Sequence, residues 1–402
     1  MEDRPLTPGA VAAPIHDLDT LAVHGAGGPD PVTGAVVTPV VQSTTFAQEA
    51  IGRDRGFTYS RAANPTVAAL ERALAALEGL PHALAFGSGM GAVTTLALAT
   101  LGPGDRLVCS EVVYGGIERL AREVLAPLGI DPVFVDTADL DAVTKAVTPA
   151  TRLVFVETPA NPTLALTDIA AVAEIAHARG ALYCVDNTFL TAALQRPAEL
   201  GADVVLSSTT KFVEGHNSAI GGAIVLGDGA LFSRLDRRRK TLGTIQAPWN
   251  AWITLRGLKT LPLRMERHSA NALAVARALE GRPGVERVGY PWLESAPGHE
   301  LARRQQRSGG GVLWFEVAGG LAAARRVTEG LALCTLAESL GAVETLATHP
   351  ASMTHADVPR ARREHVGIGD GLIRLSVGLE SPAALLADLA NALDAATEEG
   401  AS

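Results

Sequence analysis

At 402 residues, 47% hydrophobic and 19% charged, the chain carries enough apolar residues for two domains with a large core. A formal net charge of −9 leaves no electrostatic footprint for nucleic acid. The single basic cluster, Arg234 to Lys240, reads as the solvated face of a helix. Cys109, Cys184 and Cys334 lie far apart with no Cys-x-x-Cys. The first two sit inside apolar strand-like runs, which predicts buried thiols in a reducing compartment. The polar, proline-rich start has no apolar segment of a signal peptide. The uncharged run from Ala83 to Gly104 is broken by Gly-Ser-Gly-Met-Gly, so strand, turn and buried helix fit it better than a membrane span. Both points predict a cytoplasmic protein without a membrane span.

In chain order, residues 1–60 read as an N-terminal arm, disordered over roughly the first 18 and then a Gly-, Pro- and Thr-rich loop packed over something else. Asn64-Pro65-Thr66 turns into a helix over 67–80, where Leu70, Leu74 and Leu77 share a face and Gly79 marks the end. Strand-like and helix-like pieces then alternate: HALAF, a helix from Met90, RLVCS, a helix after Tyr114, DPVFVD, DLDAVTKAV, RLVFVE and a helix over 168–179. Two further buried strands, at 181–185 and 203–206, close the series. This alternation predicts an α/β domain over 61–256 with a mainly parallel, doubly wound sheet. Residues 249–280 read as one long helix leading into a smaller α+β domain over 257–402. Its clearest strands are GGVLWFEV and LIRLSV, and it ends in the amphipathic helix AALLADLANALDAA.

Chemistry concentrates between Ala181 and Gly222. One buried strand ends on Asp186, and the next ends on Ser-Ser-Thr-Thr followed by Lys211. Ligands of open α/β sheets bind at the carboxyl ends of strands, so this acid and this amine could face one ligand. Pyridoxal phosphate needs such a pair: a lysine for a Schiff base, an acid against the pyridine nitrogen, and phosphate donors. Ser208 and Thr210 suit the last task. A plainer reading makes Asp186 a cap and Lys211 a surface lysine. Gly87-Ser88-Gly89-Met90-Gly91-Ala92 follows a strand and opens a helix, as a phosphate site does. It also matches the dinucleotide pattern G-x-G-x-x-A, with Glu111 near the end of the next strand. An NAD-dependent oxidoreductase or a silent phosphate binder is thereby an alternative, but neither needs Lys211 or Asp186.

The motifs YSRAANPT, GSGMGA, VYGG, ETPANPT, VDNTF, SSTTKFVEGHN, RGLKTLPLRM, ESLGAVETL, HPASMTH and IRLSVGLE, in this order, resemble those of the Cys/Met-metabolism (transsulfuration) family of pyridoxal-phosphate enzymes. The resemblance runs from about Thr20 to the last helix. It implies the aspartate-aminotransferase-like fold (fold type I), with Lys211 carrying the coenzyme and Asp186 on its ring nitrogen. It further implies Gly89, Met90, Ser208 and Thr210 on the phosphate, Tyr114 stacked on the ring, and Asn161 touching the ring oxygen and the substrate. Arg374, helped by Ser339, would clamp the substrate α-carboxylate. Tyr59 and Arg61 would reach the phosphate of a neighbouring subunit, which implies a homodimer at least and suggests a dimer of dimers, a homotetramer. Glu338 and Arg119 resemble charged groups kept by members that act on cystathionine. Gly116 stands where methionine γ-lyases usually carry cysteine. These positions point to cystathionine γ-lyase chemistry, with cystathionine γ-synthase, O-acylhomoserine sulfhydrylase and methionine or homocysteine γ-lyase as alternatives. Gly215-His216-Asn217-Ser218 and the APWNAW run from Ala247 depart from the family's usual residues, which leaves room for a specialised substrate.

Overall fold

The computed structural model describes residues 17–400, with side chains to residue 397. The alternating apolar runs form seven strands: β1 (His82–Phe86), β2 (Arg106–Ser110), β3 (Asp131–Val135), β4 (Thr151–Glu157), β5 (Leu182–Asp186), β6 (Val204–Ser207) and β7 (Gly222–Leu226). They join in one sheet in the order β1-β7-β6-β5-β4-β2-β3. From β2 to β6 every pairing is parallel, as connections long enough for a crossover allow. β7 is antiparallel to both β6 and β1. Its five residues were not distinguished in the sequence, and no crossover helix precedes them, so the chain simply turns back along β6.

The central strands are apolar on both sides because both faces of the sheet are covered. Leu107, Leu153, Phe155 and Leu206 pack with Ala92, Val93 and Leu96 of the helix Gly89–Thr100. The alternate residues Val108, Val154, Val156 and Val185 pack with Val143, Ile169 and Val172 on the opposite face. Cys109 and Cys184 are fully buried within this core, and Cys334 is buried as well.

The second, smaller α+β unit holds a five-stranded sheet: β8 (Val285–Gly289), β9 (Val312–Val317), β10 (Thr335–Leu336), β11 (Leu346–Thr348) and β12 (Leu372–Ser376). Their order is β10-β11-β12-β9-β8, and only β10 and β11 pair in parallel. The last helix, Pro382–Gly400, buries Leu385, Leu389 and Leu393 against this sheet.

Two local expectations need correction. The helix expected over 249–280 is two helices, Pro248–Leu258 and Leu261–Leu279. Pro262 sits in the first turn of the second, and its ring and missing N–H break the helix there. Gly257, the expected domain boundary, lies in the last turn of the first helix. Part of the expected arm loop is the helix Leu18–His24, capped by Asp17, whose carboxylate accepts the Thr20 N–H at 2.8 Å. Seven residues are too few to display a period, and burial of Ala22 beside Ala73 holds the helix in place. The expected disorder falls mostly on residues 1–16, outside the described residues.

The basic cluster is a solvated face except at Arg239, which is buried and pairs with Glu71 and Asp236. Glu71 also accepts the Ala85 N–H at 3.0 Å, and Arg239 donates to the Ala85 carbonyl at 3.0 Å. This cluster pins two helices to β1. Burial raises the Glu71 carboxyl, opposed by the Arg239 charge. Glu71→Ala strands a buried guanidinium with Asp236 alone, and should cost about 3 kcal/mol. The urea midpoint of the variant would read this loss.

Candidate active site

A cavity of about 350 Å³ opens at the carboxyl ends of β4, β5 and β6. The start of the helix Gly89–Thr100 forms one wall, and Glu338, Ser339, Leu340 and Arg374 from the smaller unit form another. Parallel strands place their last residues side by side at this edge. Asp186 and Glu157, the ends of β5 and β4, are register partners.

At the floor, Ser88 caps the helix by accepting the Gly91 N–H at 2.9 Å. Among the described residues, the amides of Gly89 and Met90 meet no acceptor. Beside them stands Ser208, where a Cβ added at Gly89 would lie 3.1 Å from the Ser208 Cβ and 3.2 Å from its Oγ. The Thr210 hydroxyl donates to the Gly221 carbonyl at 3.1 Å and accepts the Gly221 N–H at 3.0 Å. Free amides at a helix start, with the Ser208 hydroxyl beside them, are the donor set of a phosphate. The Gly-rich turn is not a dinucleotide unit, because β1 and β2 are separated by four strands in the sheet where that unit needs them adjacent. Glu111 lies 3.6 Å from His365 instead.

Lys211 follows this cradle, and its Nζ donates to the Ser339 Oγ at 2.9 Å. Burial first, and the Arg374 charge second, push the amine down to about 8. Its backbone is braced by Gly341, where φ is +83° and a Cβ would lie 2.9 Å from the Lys211 carbonyl carbon. Asp186 accepts the Thr188 N–H at 3.0 Å and the Thr188 hydroxyl at 2.5 Å. Burial raises both Asp186 and Glu157, and the Asp186 charge raises Glu157 further. A cationic ring nitrogen is the counter-charge that Asp186 lacks in this wall. The residues thus fit pyridoxal phosphate at both ends: anion donors below, and an amine and a carboxyl above.

Arg374, on β12, is buried. It donates to the Asn161 Oδ1 at 2.6 Å, the Ser339 carbonyl at 2.7 Å and the Thr348 hydroxyl at 3.1 Å, while its Nε has no partner. Among the described residues no carboxylate lies within salt-bridge distance of it, so a carboxylate entering the cavity would find a cation without a direct ion-pair partner. Burial pulls the guanidinium down to about 10, opposed by Glu157 and Glu338. Glu338 is exposed and lines the same cavity.

Tyr114 lines the mouth and is half exposed. A Cβ at Gly116 would lie 2.6 Å from its Cε1 and 3.0 Å from the Met90 Sδ. Gly116→Cys should therefore push the Tyr114 ring aside, and weaken binding of a stacked ligand by about 1–3 kcal/mol. Pyridoxal phosphate titrated into apoprotein would measure it.

Of the residues singled out in the sequence, Tyr59, Arg61 and Arg119 lie outside this cavity. Arg119 is exposed on the short helix Gly115–Arg119. Arg61 reaches the Lys240 carbonyl at 2.9 Å and stacks over the half-exposed Tyr59 ring, 5.4 Å from its centroid. Conversely, Glu157, Thr188, Ile220 and Thr354 line the cavity without having been assigned there. Glu157 and Thr188 sit within the motifs ETPANPT and VDNTF. The acid at a strand end and the hydroxyl two residues after Asp186 were the available signals. The departing Asn217 adopts φ 55°, and Ser218 donates its hydroxyl to the buried Glu214. This substituted loop leads directly to Ile220.

A sheet edge that gathers a buried amine, a buried acid and a phosphate cradle defines a pyridoxal-phosphate enzyme of the doubly wound type. The family model for Cys/Met metabolism PLP-dependent enzymes matches residues 19–394. Cystathionine beta-lyase of Coxiella burnetii is 46% identical over 94% of this chain and 97% of that protein. Cystathionine gamma-lyase of Mus musculus is 47% identical over 94% of this chain and 95% of its own length. The crystal structure of cystathionine gamma synthase from Xanthomonas oryzae pv. oryzae in complex with cystathionine superposes with a TM-score of 0.93. It is 43% identical and covers 96% of this chain and 100% of that one. The chain belongs to the Cys/Met metabolism family of PLP-dependent enzymes. Its chemistry is that of a carbon–sulfur lyase or a γ-replacement enzyme. Among the described residues, no helix is long and apolar enough to cross a membrane, and no group of side chains could hold a metal ion.

Proposed function

We propose that the chain cleaves cystathionine by γ-elimination, consuming water and releasing cysteine, 2-oxobutanoate and ammonia. The carrying observation is the polarity of the cavity: an unpaired buried guanidinium, Arg374, in its wall, and an exposed carboxylate, Glu338, lining the same space. A substrate with an α-carboxylate at one end and an ammonium at the other fits both charges, and methionine lacks that ammonium. Relatives named cystathionine gamma-lyase and cystathionine beta-lyase accord with this substrate. A relative named cystathionine gamma-synthase favours a second reading, replacement at the γ-carbon of an acylated homoserine by a thiol.

Pyridoxal phosphate, when bound, supplies an electron sink for charge that develops at the substrate's α-carbon. Gly89, Met90, Ser208 and Thr210 would hold its phosphate, and Asp186 would keep the proton on its ring nitrogen. Tyr114 would cover the ring. Lys211, pushed down to about 8, can take and return protons near neutral pH, first at Cα and then at Cβ of the substrate. Ser339 would steer that amine, and Asn161 would steer Arg374. In this reading Tyr59 and Arg61, on the outer surface of their own chain, serve the cavity of a second copy. Arg119 would add a positive charge outside the mouth. The arm, the large α/β unit and the smaller α+β unit would be the working domains, divided near residues 60 and 257.

Purified protein loaded with coenzyme should form 2-oxo acid from cystathionine, and not from methionine. Cystathionine formed only from an acylhomoserine plus cysteine would replace the lyase reading with the synthase one.

A further inference from the structure

Glu157 has no task in that mechanism, yet its carboxyl is buried in the cavity wall. One oxygen accepts the Tyr114 N–H at 2.9 Å, and the other accepts the Asn161 N–H at 2.8 Å. Tyr114 precedes the helix Gly115–Arg119 and supplies no side-chain cap, so the carboxyl reaches across from β4 to hold that turn. Asn161 in turn accepts from Arg374 at 2.6 Å. Arg374 donates to the Ser339 carbonyl at 2.7 Å, and the Ser339 Oγ accepts from Lys211 at 2.9 Å. A continuous path therefore runs from the mouth of the cavity to its amine, with Glu157 as the joint between the two loops.

Burying a carboxylate costs several kcal/mol unless its lone pairs are filled. Two backbone N–H groups converging on one side chain explain the choice of residue. A carboxylate accepts both, whereas glutamine would turn its own N–H₂ toward one of them. The charged and titratable groups that face Glu157 are Asp186 from β5, Arg374 from β12 and Cys109 from β2. The Asp186 charge raises the Glu157 carboxyl and the Arg374 charge lowers it, while burial keeps the Cys109 thiol protonated.

We propose that Glu157 is a positioning residue: its two hydrogen bonds lock the Tyr114 and Asn161 backbones together, and so fix the pose of the ring under Tyr114 and the amide that meets Arg374. The proposal rests on the function above, in which Tyr114 would cover the coenzyme ring.

Glu157→Gln preserves shape and removes one of the two acceptors. In the holoenzyme, kcat/KM should fall about 10- to 100-fold, the range for leaving one buried N–H without its acceptor. The visible circular dichroism of the bound coenzyme should shrink as its ring loosens, and the Tyr114 and Asn161 amides should exchange hydrogen at least 10-fold faster. Circular dichroism, amide exchange and kcat/KM all within two-fold of the wild type would overturn the proposal. Dichroism and exchange need no substrate, so they decide it even if cystathionine proves to be the wrong one. Should the variant not fold, exchange in the wild-type protein still decides: a Tyr114 amide as fast as an unstructured loop amide overturns the lock, and strong protection supports it.

Discussion

Lys211→Ala should lower kcat by at least about 10³-fold, because it removes a covalent attachment point and a positioned base together. The loss is chemical and not structural. Lys211 makes one side-chain hydrogen bond, to Ser339, and its backbone contacts with Gly341 and the turn around it survive truncation. The folded protein should therefore keep its thermal midpoint. Borohydride reduction should fix the coenzyme to the peptide carrying Lys211 in the wild type, and to no peptide in the variant. A variant that retained a tenth of the activity would show that another group moves the proton.

Arg374→Leu is the second large effect. The side chain is buried, engages Asn161, Ser339 and Thr348, and leaves its Nε open. Loss of one partner from a desolvated charge pair costs roughly 2–5 kcal/mol, so kcat/KM for cystathionine should drop about 10³-fold. The phosphate cradle lies on separate elements, so coenzyme affinity should change little. Arg374→Lys keeps the charge but not the planar fork that meets a carboxylate with two parallel bonds, and should recover only part of the loss. Equal losses of coenzyme and substrate binding would place Arg374 in the architecture of the site and not on the substrate.

The candidate site was legible where its chemistry is local. Asp186 at a strand end, Lys211 four residues after the next strand, and glycines opening a helix all stand within short windows, and each element formed close to where its apolar run indicated. Glu157 was not legible as a partner of Asp186. Only the parallel pairing of β4 with β5 puts the two ends side by side. The break at Pro262 could have been read from the missing N–H, but the apolar period continues across it and masked the interruption. The burial of Arg239 is hidden in the sequence for the opposite reason. Its neighbours Arg237 and Arg238 are exposed, and helical rotation turns only the third arginine toward Glu71.

The amino-acid sequence alone carried the α/β class, the coenzyme and the family, since strand and helix periods, strand-end polar residues and ordered motifs are properties of neighbours along the chain. Folding settled which distant residues share one cavity: Ser339 lies 128 residues from Lys211, and Arg374 lies 213 from Asn161. It also moved β1 to the edge of the sheet, away from β2, which removes the dinucleotide reading that the glycine pattern permitted. The physical reason is common to both. A cavity between two units takes its walls from strand order and from packing of one unit against the other, and neither is written in any local window of residues.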